Sequence, residues 1–350
     1  MTLAAFLRHL AFCAVLAGLS ASTVQMMIGL AIMDRPDPRK AHARPIPKAG
    51  GVGIVVAFLA GIFVLYHFAA FARLADPYFR GVILASIAIA VVAFLDDLRD
   101  WPFTVKLAAQ FAAGLLAVGS GLYVHIFRLP YIGPADLGLI GAAATMAWIL
   151  FATNAMNFID GLNGLAAGVC LIACLFLAGI AASVGGWFVY FASLLLAAGL
   201  IGFLPFNYPK ARIFMGDVGS QFCGFVLAML GVAASRFERV ELSALLVPLL
   251  LSGVLYDVAF TLARRALAGE RVTKPHRGHL YQVATRAGVP AAAVAAIHWG
   301  FAVLGGATCL AFMAAPSPIK PLIVLAPLPV QIGWTVVVGR LARRAAIGRW

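Results

Sequence analysis

Apolar residues run through this chain in eleven stretches, roughly 10–33, 50–72, 81–95, 104–126, 138–156, 164–183, 187–206, 219–235, 242–262, 292–314 and 319–339. Charge, proline or glycine breaks each from the next. A helix needs about 20 apolar residues to cross a bilayer, and inside the bilayer it must satisfy every backbone polar group itself. Most of the stretches have that length. The pattern therefore predicts an all-α, polytopic integral membrane protein with about 11 transmembrane helices. Composition agrees: 63% of residues are hydrophobic and 11% charged, against about 25% charged in a soluble domain. The third stretch is short, and the fifth and sixth are parted only by the turn at 157–163.

Orientation follows from the bias of Lys and Arg toward the cytoplasm. With the N-terminus outside, nineteen of the 26 basic residues fall on the inner face and seven on the outer. The expectation is an N-terminus outside and a C-terminus in the cytoplasm. The net charge of +13 is thus a topology signal and does not imply a nucleic-acid partner. The first stretch is too long for a signal-peptide core and leads straight into a basic loop, which predicts a retained span. Five cysteines, Cys13, Cys170, Cys174, Cys223 and Cys309, all lie in apolar runs without a CxxC pair. They read as packing residues.

Only 13 residues are acidic, so their placement is informative. Asp96 and Asp97 stand side by side at the end of the third apolar run. Like charges repel and burial disfavours both, so the pair implies a cation, a metal, or a phosphate held through one. Lys106 and Gln110 follow, four residues apart and on one helix face. A surface ion-pair cluster is the plainer alternative. Carboxylates suit Mg²⁺, which prefers oxygen ligands and keeps several waters.

Four further polar constellations fall at inner helix ends. The first inner loop carries Lys40, His42, four prolines before Ala49, and the pair Gly50-Gly51, where backbone can approach a neighbour closely. Its charges alone would serve to bind anionic headgroups. Asn154, Asn157 and Asp160 recur at a spacing of three along one helix face, followed by Gly161. Asn in an apolar helix is costly unless hydrogen-bonded, either to another helix or to a ligand. Asn207 precedes a Gly216-Asp217-Val218-Gly219-Ser220 run that opens a helix. There Asp217 could be the N-cap, or could carry a metal to a phosphate at the helix N-terminus. The longest inner loop holds His276, Arg277 and His279, a set suited to an oxyanion. Asp257 could pair with Arg264 or Arg265, or join a site.

In order along residues 34–282, these pieces resemble the polyprenyl-phosphate N-acetylhexosamine-1-phosphate transferases, glycosyltransferase family 4. The matching residues are Arg39-Lys40-x-His42 with Gly50-Gly51, Asp96-Asp97, Asn154-x-x-Asn157-x-x-Asp160-Gly161, Asn207-x-Pro209 with Phe214-Met215-Gly216-Asp217-x-Gly219-Ser220, and His276-Arg277-x-His279. Val218 departs from the usual Thr. The last loop lacks the consecutive histidines of the phospho-N-acetylmuramoyl-pentapeptide enzymes and is more like members that start O-antigen and related surface glycans. The resemblance implies a bacterial inner-membrane enzyme, active on the cytoplasmic face, with eleven spans in one integral domain and a basic tail at 340–350. It implies transfer of a sugar 1-phosphate from a UDP-sugar to polyprenyl phosphate with release of UMP, and leaves the sugar open.

On that resemblance Asp217 is the metal ligand, for Mg²⁺ or Mn²⁺. Asp96, Asp97 and Lys106 join it as catalytic residues toward the acceptor phosphate. Lys40, His42, Asn154, Asn157, Asp160, Asn207, His276, Arg277 and His279 bind substrate. Partners would be the UDP-sugar, the polyprenyl lipid and the bilayer, with a homo-oligomer compatible. Two rival classes remain at this stage. Asp96-Asp97-Leu98-Arg99-Asp100 fits the DDxxD of a Mg²⁺-dependent prenyltransferase, although no second Asp-rich motif accompanies it. A transporter of anionic metabolites would use the basic loops as a collecting surface, but would more often place its polar groups at the bilayer midplane.

Overall fold

The computed structural model describes residues 2–34, 44–68, 77–129, 133–236, 242–274 and 276–348. The helices, in chain order, are α1 (Leu3–Leu30), α2 (Gly51–Phe68), α3 (Pro77–Arg99), α4 (Phe103–Gly119), α5 (Gly138–Ile159), α6 (Leu165–Val184) and α7 (Trp187–Asn207). They continue with α8 (Gly216–Arg236), α9 (Leu246–Leu250), α10 (Ser252–Leu267), α11 (Leu280–Arg286), α12 (Ala291–Ala314), α13 (Lys320–Leu325) and α14 (Leu328–Arg344). Two small antiparallel hairpins complete the described chain: β1 (Met33–Asp34) with β2 (Ile46–Pro47), and β3 (Ile126–Leu129) with β4 (Gly133–Asp136).

Among the described residues, nine helical segments are long and apolar enough to cross a membrane. The other two expected spans differ from expectation. The fourth is only the 17-residue α4, because the chain leaves the helix after Gly119 and enters β3 instead of continuing to 126. The ninth is interrupted at Leu251 between α9 and α10. Pro248 lies just upstream, and a helix-interior proline removes one backbone bond and crowds another. The short third stretch is longer than its apolar run. It begins at Pro77, a residue suited to a first helical turn, and carries the Asp96-Asp97 pair inside its last turn.

α8 is the axis of the bundle. It packs against α2, α3 and α5 and is almost wholly buried, whereas α1 and α14 present broad apolar faces outward. The outward faces suit lipid, and small residues let the inner helices approach closely. α1 lies on α7 and α2, and the buried Ser20 hydroxyl donates to the Gly199 carbonyl at 2.8 Å. Cys170, Cys174, Cys223 and Cys309 are buried in the same core.

The start of α2 is bound to the start of α8. Gly50 N–H donates to the Phe214 carbonyl at 2.9 Å and Gly51 N–H to the Met215 carbonyl at 2.8 Å. A Cβ on Gly51 would collide with the Gly219 backbone. The Gly-Gly pair therefore does bring two backbones together, and the place where it does so is beneath Asp217.

Candidate active site

A cavity of about 610 Å³ opens at the end of the bundle where α3, α5 and α7 finish and α8 begins. That volume lies in the range of small-molecule sites. Its wall includes Lys48, Asp96, Asp97, Lys106, Asn157, Asp160, Asn207, Asp217 and Arg277.

Lys106 is the hub of the wall. Its ammonium lies 2.5 Å from Asp96 Oδ2 and 2.6 Å from Asp217 Oδ2. Asp96 Oδ1 accepts the Trp101 N–H at 2.8 Å. Asp97 is placed differently. Its Oδ1 accepts the backbone N–H of Asp217 at 3.2 Å and its Oδ2 that of Val218 at 3.0 Å. It thus caps the first turn of α8 from another helix, a favourable place for negative charge. Asp217, for which an N-cap role was one of two alternatives, is itself capped by Asp97. The close approach depends on Gly216, whose φ is +75° and whose added Cβ would sit 2.6 Å from Asp97 Oδ2.

Behind Asp217 runs a ladder of amides that the sequence reading missed. Gln221 donates to Asp217 Oδ2 at 3.1 Å. Gln110 donates to Gln221 at 2.9 Å, and Asn154 to Gln110 at 2.6 Å. Three helices, α4, α5 and α8, are thereby tied to one carboxylate. Asn154, expected to bind substrate, belongs to this ladder and does not line the cavity. The signal for Gln221 was its position one turn after Asp217.

Asn157 accepts from the Ser220 hydroxyl at 3.2 Å and lines the cavity. Asp160, just past α5, lines it too, and among the described residues its carboxylate has no hydrogen-bond or ion-pair partner. Burial first, and then the negative charge of Asp217 and Asp97, push this carboxyl well above the ordinary carboxylate range. An unpartnered carboxyl facing a cavity is a natural acceptor or donor for a ligand. Its turn is framed by neighbours. Asn207 accepts the Gly164 N–H at 2.6 Å and donates to the Ile213 carbonyl at 2.9 Å. Tyr281 donates to the Phe158 carbonyl at 2.9 Å. Asn207 therefore lines the cavity with both ends of its amide already used on backbone.

Of the three residues expected from the longest inner loop, Arg277 lines the cavity, and His276 and His279 do not. Burial, then the positive charge of His279, Arg265 and Arg264, lowers His276 to about 4, so it is neutral at pH 7. Its Nδ1 accepts the Gly278 N–H at 3.1 Å. Asp257 pairs with neither arginine. It faces His279, and Arg265 instead binds Glu270 at 2.7 Å. On the rim, Lys48 lies 3.0 Å from Asp100. Burial works against its charge, but Asp100, Asp97 and Asp34 outweigh it and hold the pKa above the usual lysine value. Lys40 and His42 lie outside the described residues.

Among the described residues no three His, Cys, Asp or Glu side chains group as a metal cage. Mg²⁺ does not require one: it binds through one or two carboxylates, with waters and phosphates completing its shell. Asp217 and Asp96, hard oxygen donors 2.6 and 2.5 Å from one lysine on the wall of a polar cavity, fit that kind of site.

The cavity thus joins carboxylates and cations from separate helices at one end of the bundle, and comparison with known proteins gives it a family. The profile of "Glycosyl transferase family 4" matches residues 79–235. A probable undecaprenyl-phosphate N-acetylglucosaminyl 1-phosphate transferase of Bacillus subtilis is 30% identical over 259 residues, covering 73% of this chain and 70% of the relative. The chain belongs to glycosyl transferase family 4. A decaprenyl-phosphate N-acetylglucosaminephosphotransferase of Mycobacterium tuberculosis is 31% identical over 271 residues, 70% of this chain and 67% of its own. An undecaprenyl-phosphate alpha-N-acetylglucosaminyl 1-phosphate transferase of Thermotoga maritima is 30% identical over 258 residues, 73% of each. As a member of this family the chain brings Asp96, Asp97, Lys106, Asn157, Asp160 and Asp217 together within the matched region.

Proposed function

We propose that this protein transfers N-acetylglucosamine 1-phosphate from UDP-N-acetylglucosamine to polyprenyl phosphate, releasing UMP, as the initiating step of a surface glycan. The names of its relatives supply the sugar and the lipid class. The observation that carries the chemistry is Lys106 held between Asp96 and Asp217 on the wall of one cavity with Lys48 and Arg277. Two anionic substrates must meet there, and fixed cations lower the repulsion between them.

In this reading an oxygen of the acceptor phosphate attacks the β-phosphorus of the nucleotide sugar. The bond from that phosphorus to the bridging oxygen breaks, and UMP leaves with the electron pair. One phosphoanhydride replaces another, so the step runs close to equilibrium. Lys106 neutralises the phosphoryl oxygens, and Arg277 holds the donor diphosphate. Asp160 and Asn157 hold the nucleoside. Asp97 keeps the first turn of α8 in place under Asp217. Asp217, with Asp96 beside it, would hold Mg²⁺, which supplies Lewis-acid stabilisation of the developing charge. The site faces the cytoplasm, and eleven membrane crossings put the N-terminus outside and the C-terminus inside.

Purified protein incubated with UDP-N-acetylglucosamine and undecaprenyl phosphate should release UMP. Chelation of divalent cations should stop release, and added Mg²⁺ should restore it. No UMP with any UDP-sugar, or vesicle uptake of the intact nucleotide sugar without chemistry, would contradict the proposal.

A further inference from the structure

One buried carboxylate has no place in the chemistry so far. Asp257, on α10, is 1% exposed, so its partners must come from the protein itself. It accepts the backbone N–H of Leu280 at 2.9 Å and of Tyr281 at 3.0 Å. His279 Nδ1 lies 3.3 Å from Oδ1, the Thr261 hydroxyl donates at 3.3 Å, and His298 Nε2 is 3.7 Å from Oδ2. A carboxylate facing Nδ1 requires that nitrogen to carry the proton, so Asp257 sets both the tautomer and the ring orientation of His279.

The residues so gripped begin two positions after Arg277. Two arginines of the same helix hold the loop on its other side. Arg264 donates to the Gly278 carbonyl at 3.1 Å. Arg265 donates to the carbonyls of Arg271 and Lys274, each at 3.1 Å. α10 therefore suspends the loop from three points, two of them, Asp257 and Arg265, buried. The cavity-facing groups of this segment, Arg277, Tyr281 and Gln282, all sit within five residues of a suspension point.

We propose that Asp257 is a positioning residue: through His279 and the first turn of α11 it presents Arg277 to the donor. Asp257 touches no substrate itself. The inference rests on the transferase reading, in which Arg277 holds the donor diphosphate. A residue that acts through another shows strong coupling to it, whereas a purely structural residue does not.

The test is a double-mutant cycle on the purified full chain, titrating UDP-N-acetylglucosamine at saturating undecaprenyl phosphate. Asp257→Asn should raise the donor KM about tenfold, within the span of measured couplings between contacting residues, and leave kcat within about threefold. In an Arg277→Ala background the same substitution should change KM less than about twofold. Arg264→Gln loosens the loop at Gly278 without opening the core, and should raise KM with the same loss of effect beside Arg277→Ala. It carries the test if Asp257→Asn does not yield a monodisperse protein. A raised KM for Arg277→Ala together with fully additive effects of Asp257→Asn or Arg264→Gln overturns the proposal alone. An unchanged KM for Arg277→Ala overturns the donor role of Arg277, and the proposal with it.

Discussion

Asp97→Asn separates two accounts of the paired aspartates. A group acting on the acceptor phosphate would need a free carboxylate oxygen, whereas in the structure both oxygens receive backbone N–H groups of α8. Asparagine keeps one acceptor and turns an N–H toward the other donor. One charge-assisted hydrogen bond is lost, about 1.5–3 kcal/mol, and so is the negative charge at the helix N-terminus, about 0.3–1 kcal/mol. The two losses total roughly 2–4 kcal/mol. Unfolding entropy is about 2.1 cal/mol/K per residue, which over this chain converts the loss into a melting temperature lower by roughly 3–6 °C. Asp217 rides on the same turn, so a displacement near 1 Å should also reduce turnover about 10²-fold. The buried cysteines Cys170, Cys174, Cys223 and Cys309 make a thiol-reactive dye a suitable unfolding reporter in detergent. A variant that melts at the wild-type temperature yet loses turnover by about 10³-fold or more would refute the capping argument and return Asp97 to the substrate.

Gln221→Leu removes the amide that binds Asp217 and takes from Gln110 its 2.9 Å acceptor, leaving only the longer contact to Asn154 at 3.4 Å, a penalty of about 1–3 kcal/mol. Turnover at saturating substrates should fall about tenfold while the donor KM stays within about twofold, and a KM change without a turnover change would show that the ladder does not act on Asp217. His276 has its folded pKa lowered to about 4, so the unfolded chain binds the extra proton between about 6.5 and 4. The stability this group contributes is complete above about 6.5 and is lost as pH falls toward 4. Melting temperature followed from pH 7.5 to 4.5 should therefore fall less steeply for His276→Gln than for wild type, and parallel slopes would contradict the half-buried, neutral imidazole. Asp160→Ala should weaken donor binding without lowering the melting temperature, because the carboxylate has no protein partner to lose; a destabilised variant with unchanged donor KM would show a structural role.

The positions of the site residues were legible because charge in an apolar chain is conspicuous. Asp96, Asp97, Lys106, Asn157, Asp160 and Asp217 each stand at the end of an apolar run, and loop charge placed them on one face. Their partners were not legible, because the register between helices is set by packing that a charge pattern does not encode. Asp97 could be seen as an unusual acid, but not as the cap of a helix 120 residues away. Gln221 and Gln110 gave only a weak signal, two uncharged amides in apolar helices. Asp257 stood two helical turns before two arginines on α10 and yet pairs with a histidine 22 residues on, because α10 turns the arginines toward loop carbonyls. The break at Leu251 had a local cause in Pro248 that the hydropathy of the ninth stretch concealed. The β3–β4 hairpin was hidden in the same way, since its first strand continues an apolar run.

The central claim is that phosphorus, and not the sugar alone, is transferred. UDP-N-acetylglucosamine labelled with ³²P at the β-phosphate, incubated with the purified protein and undecaprenyl phosphate, should put its label into the lipid phase in step with unlabelled UMP. Label left in the aqueous phase as UDP, with sugar alone on the lipid, would contradict the account.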